Sequence, residues 1–90
     1  AFINNLEIDN FKIYPNPSRD VFNISFTSNM SQDLEITIKN LMGEEINKNT
    51  LEDYKGDFNY YLDLSSFSKG IYLLNLKTSK GNIIHRLIHN

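Results

Sequence analysis

The fold class this sequence predicts is all-β: an immunoglobulin-like antiparallel β-sandwich of about seven strands. Three observations predict it. Apolar and polar residues alternate with a period of two in several short stretches, VFNISFT and LEITIKN being the clearest, as half-buried strands require. Helical spacing of apolar residues extends nowhere beyond a turn, which leaves no crossover helices and therefore no parallel sheet. Glycine and small polar clusters recur between the alternating stretches at the intervals of an all-β domain.

Taken in order, AFINNLEIDN alternates weakly and carries three asparagines, so residues 1–10 read as a connector, with the domain proper beginning at Phe11. FKIY is the first strand, and it meets Pro15-Asn16-Pro17. Each proline lacks an N–H and pushes the residue before it toward extended backbone, so Tyr14 and Asn16 end the strand in a preset exit. In the next strand Phe22, Ile24 and Phe26 face one way, and Asn23, Ser25 and Thr27 the other. SNMSQD reads as a polar loop. LEITIKN then sets Leu34, Ile36 and Ile38 inward and Glu35, Thr37 and Lys39 outward, and Gly43 turns the chain into a hairpin strand from Glu44 to Asn49. After the polar stretch TLEDYKGD, Phe58, Tyr60, Leu62 and Leu64 alternate with polar residues up to SSFSKG, where Gly70 is the turn residue. IYLLNLKT puts Tyr72, Leu74 and Leu76 on one face; SKGN turns, and IIHRLIH is the last strand. The expected core is Phe22, Ile24, Phe26, Leu34, Ile36, Ile38, Phe58, Tyr60, Leu62, Tyr72, Leu74 and Leu76.

Composition limits what such a domain does. Ninety residues form one small domain, and with no cysteine its stability rests on apolar packing alone. A net charge of −2, with the seven lysines scattered, argues against nucleic acid or an anionic membrane as main partner, because both need clustered basic surface. No apolar run approaches the roughly 18 residues that span a bilayer, so direct membrane insertion by a helix is not expected. The N-terminus lacks the pattern of a signal peptide, and a chain starting at Ala1 without methionine is expected to be a piece of a longer polypeptide.

No constellation points to catalysis, and no cofactor or metal is implied. His85 and His89, four apart, share one strand face over about 13 Å, which is not the spacing of metal ligands on a helix, and they read as solvent-facing. Glu44-Glu45 and Glu52-Asp53 are adjacent carboxylates with no spacing that makes an acid/base pair. There is no nucleophile elbow, phosphate-binding glycine loop or cysteine nucleophile. NIS at Asn23 and NMS at Asn29 match the glycosylation sequon, a short pattern common by chance in a chain rich in asparagine.

Four motifs in register carry more information than any one of them: YPNP at the first strand's end, NLMGEEI at the middle hairpin, LDLSSFSKGIYLLNL with its glycine-x-tyrosine, and the closing GNIIHRLIHN. In that order and at those spacings, the stretch from Phe11 to Asn90 resembles the C-terminal sorting domain of the type IX secretion system, type A. The resemblance implies a signal rather than an enzyme. It implies an upstream cargo, recognition in the periplasm by shuttle proteins and an outer-membrane translocon, and export to the cell surface or medium. It also implies removal by a sortase-like peptidase, often with attachment of the cargo to surface lipopolysaccharide. The positions it singles out for signalling and recognition are Pro15, Asn16, Pro17, Gly43, Gly70, Tyr72, Arg86, Leu87 and Ile88. Arg86 stands where the family usually has lysine; it keeps the charge but not the compact ammonium.

Two other readings compete. A carbohydrate-binding or adhesive module needs exposed aromatics, and with no tryptophan only Tyr54 and Tyr61 are expected outward. An inert spacer beside a catalytic unit is the other. The terminal strand is expected to leave its edge uncovered, open to strand addition by a partner.

Overall fold

The alternation read from the sequence becomes five antiparallel strands in the computed structural model, which describes residues 7–90. They are β1 (Ile8–Tyr14), β2 (Val21–Asn40), β3 (Glu45–Asp63), β4 (Gly70–Thr78) and β5 (Gly81–His89). Among the described residues there is no helix. The expectation of about seven strands in two sheets is corrected: the strands expected at 21–27 and 34–40 are the two ends of β2, and those expected at 44–49 and 58–64 are the two ends of β3. SNMSQD, read as a polar loop, and the polar stretch TLEDYKGD continue these strands through a bend.

The reason is local chemistry. Pairing of β2 with β3 persists across the bend, with register shifts between Ser28 and Gln32 and again between Gln32 and Leu34. Asp53 at φ 46° and Gly56 at φ 110° lie opposite on β3, where a glycine takes the positive φ that an ordinary residue resists. Polar side chains satisfy the disturbed backbone: Ser28 Oγ donates to the Met30 carbonyl at 2.8 Å, and the Asp53 amide donates to Asp33 Oδ1 at 3.0 Å. Gln32 Nε2 reaches Ser28 Oγ at 3.1 Å. Polarity here serves a bulge rather than a loop.

The bend curls one sheet over its own core. The first half of β2 lies between β1 and the second half of β3; its second half lies between the first half of β3 and β4, onto which β5 folds as a hairpin. Apolar residues from both halves meet in a single cluster, with Phe22, Ile24 and Phe26 from one end of β2, Leu34, Ile36 and Ile38 from the other, and Leu74, Leu76 and Leu87 from the terminal hairpin. Each buried side chain of this size contributes about 1.5–3 kcal/mol relative to exposure. The register of LEITIKN is as expected, although outward-facing Thr37 is also buried under its neighbours. Phe58 and Tyr60 are only half-buried; they line the core as a ring stack, Phe26–Phe58 at 5.0 Å and Phe58–Tyr60 at 6.3 Å between centroids. Ile8, Leu64 and Leu87 join the core without having been expected there. Ile8 also moves the boundary: it is 5% exposed and pairs with Ser28, so residues 8–10, read as connector, belong to β1, while residues 1–6 lie outside the described residues.

Candidate functional site

The segment after β1 and the terminal hairpin, far apart in sequence, form one unit. Asn16, held between its prolines, uses its side-chain amide as a strand uses its backbone: Nδ2 donates to the Arg86 carbonyl at 2.9 Å, and Oδ1 accepts from the Ile88 amide at 3.0 Å. Ser18 extends the pairing, its amide donating to the Ile88 carbonyl and its carbonyl accepting from the Asn90 amide, both at 2.9 Å, in a parallel bridge with His89. The Ser18 hydroxyl in turn donates to the Val21 carbonyl at 2.6 Å, tying the clasp to the start of β2. The Tyr14–Pro15 and Asn16–Pro17 bonds are both cis. The expectation of an uncovered terminal edge is therefore corrected: from Arg86 to Asn90 the edge of β5 is occupied by Asn16 and Ser18. Covering an edge in this way removes the free N–H and C=O groups that invite another strand.

The other singled-out positions divide by role. Tyr72 is 5% exposed and its hydroxyl donates to the Ser68 carbonyl, so it fills the core and pins the loop before β4. Leu87, opposite Tyr72 in register, is fully buried. Gly70 opens β4 at φ 149° and pairs with His89. Gly43, at φ 88°, donates to the Asn40 carbonyl at 3.0 Å in the β2–β3 turn, where Asn40 Oδ1 also accepts from the Met42 and Glu44 amides, each at 3.0 Å. Arg86 and Ile88 point outward, Arg86 exposed and Ile88 half-buried. Asn40 pairs with Tyr72, so the Gly43 turn and the Gly70 end of β4 lie at the same end of the sheet.

The two histidines part company. His85 is exposed and stacks on Phe11 at 5.0 Å, but His89, expected to face solvent, is 4% exposed with Nε2 3.2 Å from the Phe67 carbonyl. Its ring lies tilted against Tyr72, 6.3 Å between centroids, under the loop that carries Phe67. Tyr54, expected outward, is half-buried edge-on against Phe58 at 5.9 Å, because the bend at Asp53 turns it back over the sheet. Tyr61 is 73% exposed, and Tyr14, 50% exposed, lies two strands away in the same register with Asn23 between them.

The outward side of the terminal hairpin is the site's most unusual surface. Cross-strand rungs set Ile71 against Ile88, Leu73 against Arg86 and Asn75 against Ile84. Among the described residues, six of the nine exposed large hydrophobic side chains lie on this hairpin or at the adjoining end of the sheet: Leu41, Met42, Phe67, Ile71, Leu73 and Ile84. The Asn16 clasp was not legible as such, although an asparagine between two residues that lack an N–H is well placed to substitute its side chain for missing backbone donors.

Comparison with known families and proteins completes the picture. A comparison with curated proteins gives no match. The model of one family, described as the secretion system C-terminal sorting domain, matches residues 12–90, which include the clasp, the bent hairpin and all of β4 and β5. That family marks proteins for type IX secretion, and the carbohydrate-binding alternative finds no support in it. The clasped terminal hairpin and the extent of this match lead to one conclusion: the chain belongs to the secretion system C-terminal sorting domain family.

Proposed function

We propose that this domain is a type A sorting signal that conducts an upstream cargo from the periplasm to the outer-membrane translocon of the type IX system, with shuttle proteins as intermediaries. In this reading residues 1–10 lead in from the cargo, and a sortase-like peptidase cuts within the part of that segment ahead of β1. The cargo is then released or joined to surface lipopolysaccharide. The role is that of a recognised surface, not of a catalyst.

The observation that carries the reading is the family match over residues 12–90, which takes in every strand from within β1 to β5. The recognition positions fall into two sets within it. Pro15, Asn16, Pro17, Gly43, Gly70, Tyr72 and Leu87 build the surface by fixing the clasp, the turn and the core, whereas Arg86 and Ile88 are the ones that a partner meets. Arg86 serves in place of the family's usual lysine because its outward guanidinium supplies the same positive charge and a wider set of donors.

The test is a fusion. A reporter placed upstream of residues 1–90 is expected to reach the surface or medium of a host with a compatible type IX system and to stay in the periplasm without the domain. Retention of the complete fusion in such a host would overturn the reading. Removing Leu87–Asn90 is a poor substitute for this experiment, since Leu87 is fully buried and its loss would unfold the signal.

A further inference from the structure

Arg86 sits in unusual company. Across the strand pair it faces Leu73, and along β5 its same-face neighbours are Ile84 and Ile88. Of the neighbouring lysines, Lys39 is in register with Glu45 and Lys77 with Glu35, and Lys48 approaches Glu35 at 3.8 Å. Among the described residues Arg86 has no ion pair. Ile84 is 66% exposed, Leu73 37% and Ile71 36%, so the aliphatic ring around the guanidinium is open to contact. A well-adapted free surface would surround such a residue with polar groups; isolated apolar residues are ordinary, but a contiguous patch with a central arginine has the anatomy of an interface.

Resting on the sorting reading, we infer that the domain is docked through the outward face of β4 and β5, not through the edge of β5. The partner is a protein surface that is itself apolar and projects a carboxylate onto Arg86. The edge from Arg86 to Asn90 is excluded because Asn16 and Ser18 already hold its hydrogen-bonding groups. A carboxylate follows from charge: one uncompensated guanidinium ringed by Ile84, Leu73 and Ile88 would engage it bidentately, in a setting from which the aliphatic side chains expel water. A second copy of the chain does not fit, since a two-fold contact of this face would set Arg86 near Arg86. An anionic bilayer does not fit either, because membrane-surface binding draws on clusters of roughly four to eight basic residues, and the outward face of β4 and β5 presents only Arg86 and Lys77.

The experiment uses the reporter fused to residues 1–90 with three substitutions, Arg86→Met, Ile84→Ser and Ile84→Asp. Arg86→Met keeps the aliphatic stem and removes the charge. Ile84→Ser opens the ring, and Ile84→Asp supplies an internal carboxylate that competes with the partner's. All three are at exposed positions, and the melting midpoint of each domain is expected within about 2 °C of wild type. Export of the wild-type fusion with a fall of about tenfold or more in each folded variant is the expected result. Export of the wild-type fusion together with unchanged export of folded Arg86→Met and Ile84→Ser would overturn the face while leaving the sorting reading intact. Failure of the wild-type fusion itself would overturn the reading on which this rests. Co-sedimentation of the wild-type chain with vesicles of phosphatidylglycerol, lost in Arg86→Met, would replace the protein partner by a lipid one. An Ile84-dependent dimer in sedimentation velocity would replace it by a second copy.

Discussion

The two outward faces of the curled sheet were built to different standards of solvent adaptation. Over the half formed by β1, the start of β2 and the end of β3, two rungs are wholly polar, Lys12 with Ser25 and Asn59, and Asp9 with Thr27 and Asp57, and a third sets exposed Tyr14 and Tyr61 on either side of Asn23. Thr27 Oγ1 donates to Asp57 Oδ1 at 2.7 Å, and Asn23 Nδ2 donates to the Tyr14 carbonyl at 3.0 Å. The hairpin of β4 and β5 presents Ile71, Leu73, Ile84 and Ile88 around a lone guanidinium instead. Both faces belong to the same antiparallel sheet, so the difference cannot be a demand of the fold. In the docking reading proposed above, it reflects what each face meets.

The strongest way to break the comparison is to strike beneath the hairpin rather than on it. Leu87→Ala removes a fully buried side chain and should cost about 2–5 kcal/mol, and Tyr72→Ala about 3–5 kcal/mol, with a corresponding drop in urea midpoint. Against a total of roughly 5–15 kcal/mol either loss is a large share, and export should fall in step with the unfolded fraction. If the midpoints did not move, the division between supporting and contacting residues would be wrong. Next in size is Asn16→Ala, which strips the clasp of two hydrogen bonds and should cost about 1–3 kcal/mol. Its distinctive readout is amide exchange: the Ile88 N–H should lose protection while amides in the middle of β2 keep theirs.

A smaller effect should come from the polar face. Thr27→Val deletes the bond to Asp57 at a cost of up to about 1 kcal/mol and should leave export unchanged, because the proposed docking face lies on β4 and β5. A fall in export without a fall in stability would erase the distinction between the faces. Smallest of all is Asp63→Asn. The Ser65 amide, at 2.9 Å, and then the Ser65 hydroxyl hold the fully exposed Asp63 carboxyl below its ordinary value. A carboxyl whose pKa is lower in the folded chain stabilises above its unfolded pKa and loses that contribution as pH falls through its folded value. The small difference in melting midpoint between Asp63→Asn and wild type should therefore be present at neutral pH and fade as the pH falls through the carboxyl's lowered folded value.

How far all this could be read in advance depended on whether a residue's role was local. Alternation in VFNISFT and LEITIKN determines which side chains enter the core, because successive strand residues point to opposite faces regardless of what lies beyond. Strand number was less accessible. SNMSQD is as polar as a loop, yet bends a continuing strand, since Ser28 and Asp33 serve the backbone of a bulge and composition does not distinguish the two uses. The signal character came from motif order, whereas the division of labour among the motif's residues did not. Arg86 and Leu87 are adjacent, and only the pairing of β5 with β4 separates the one that faces outward from the one that is buried. Asn16 looked like a turn residue because its partners lie 70 and 72 positions away, beyond the reach of any local rule.

That separation also bears on timing. Contacts between the two ends of a chain are the last to repay their loop-closure entropy, so β-rich topologies with distant pairings fold slowly, in milliseconds to seconds. The clasp from Asn16 to Arg86 and Ile88 is of this kind, and it secures the strand that carries the outward aliphatic ring. A chain still on its way to the native state has no such ring at fixed spacing, only a flexible stretch with one arginine. If that ring is the address, as proposed above, it is legible only once the clasp has closed, and a half-folded molecule carries no postmark.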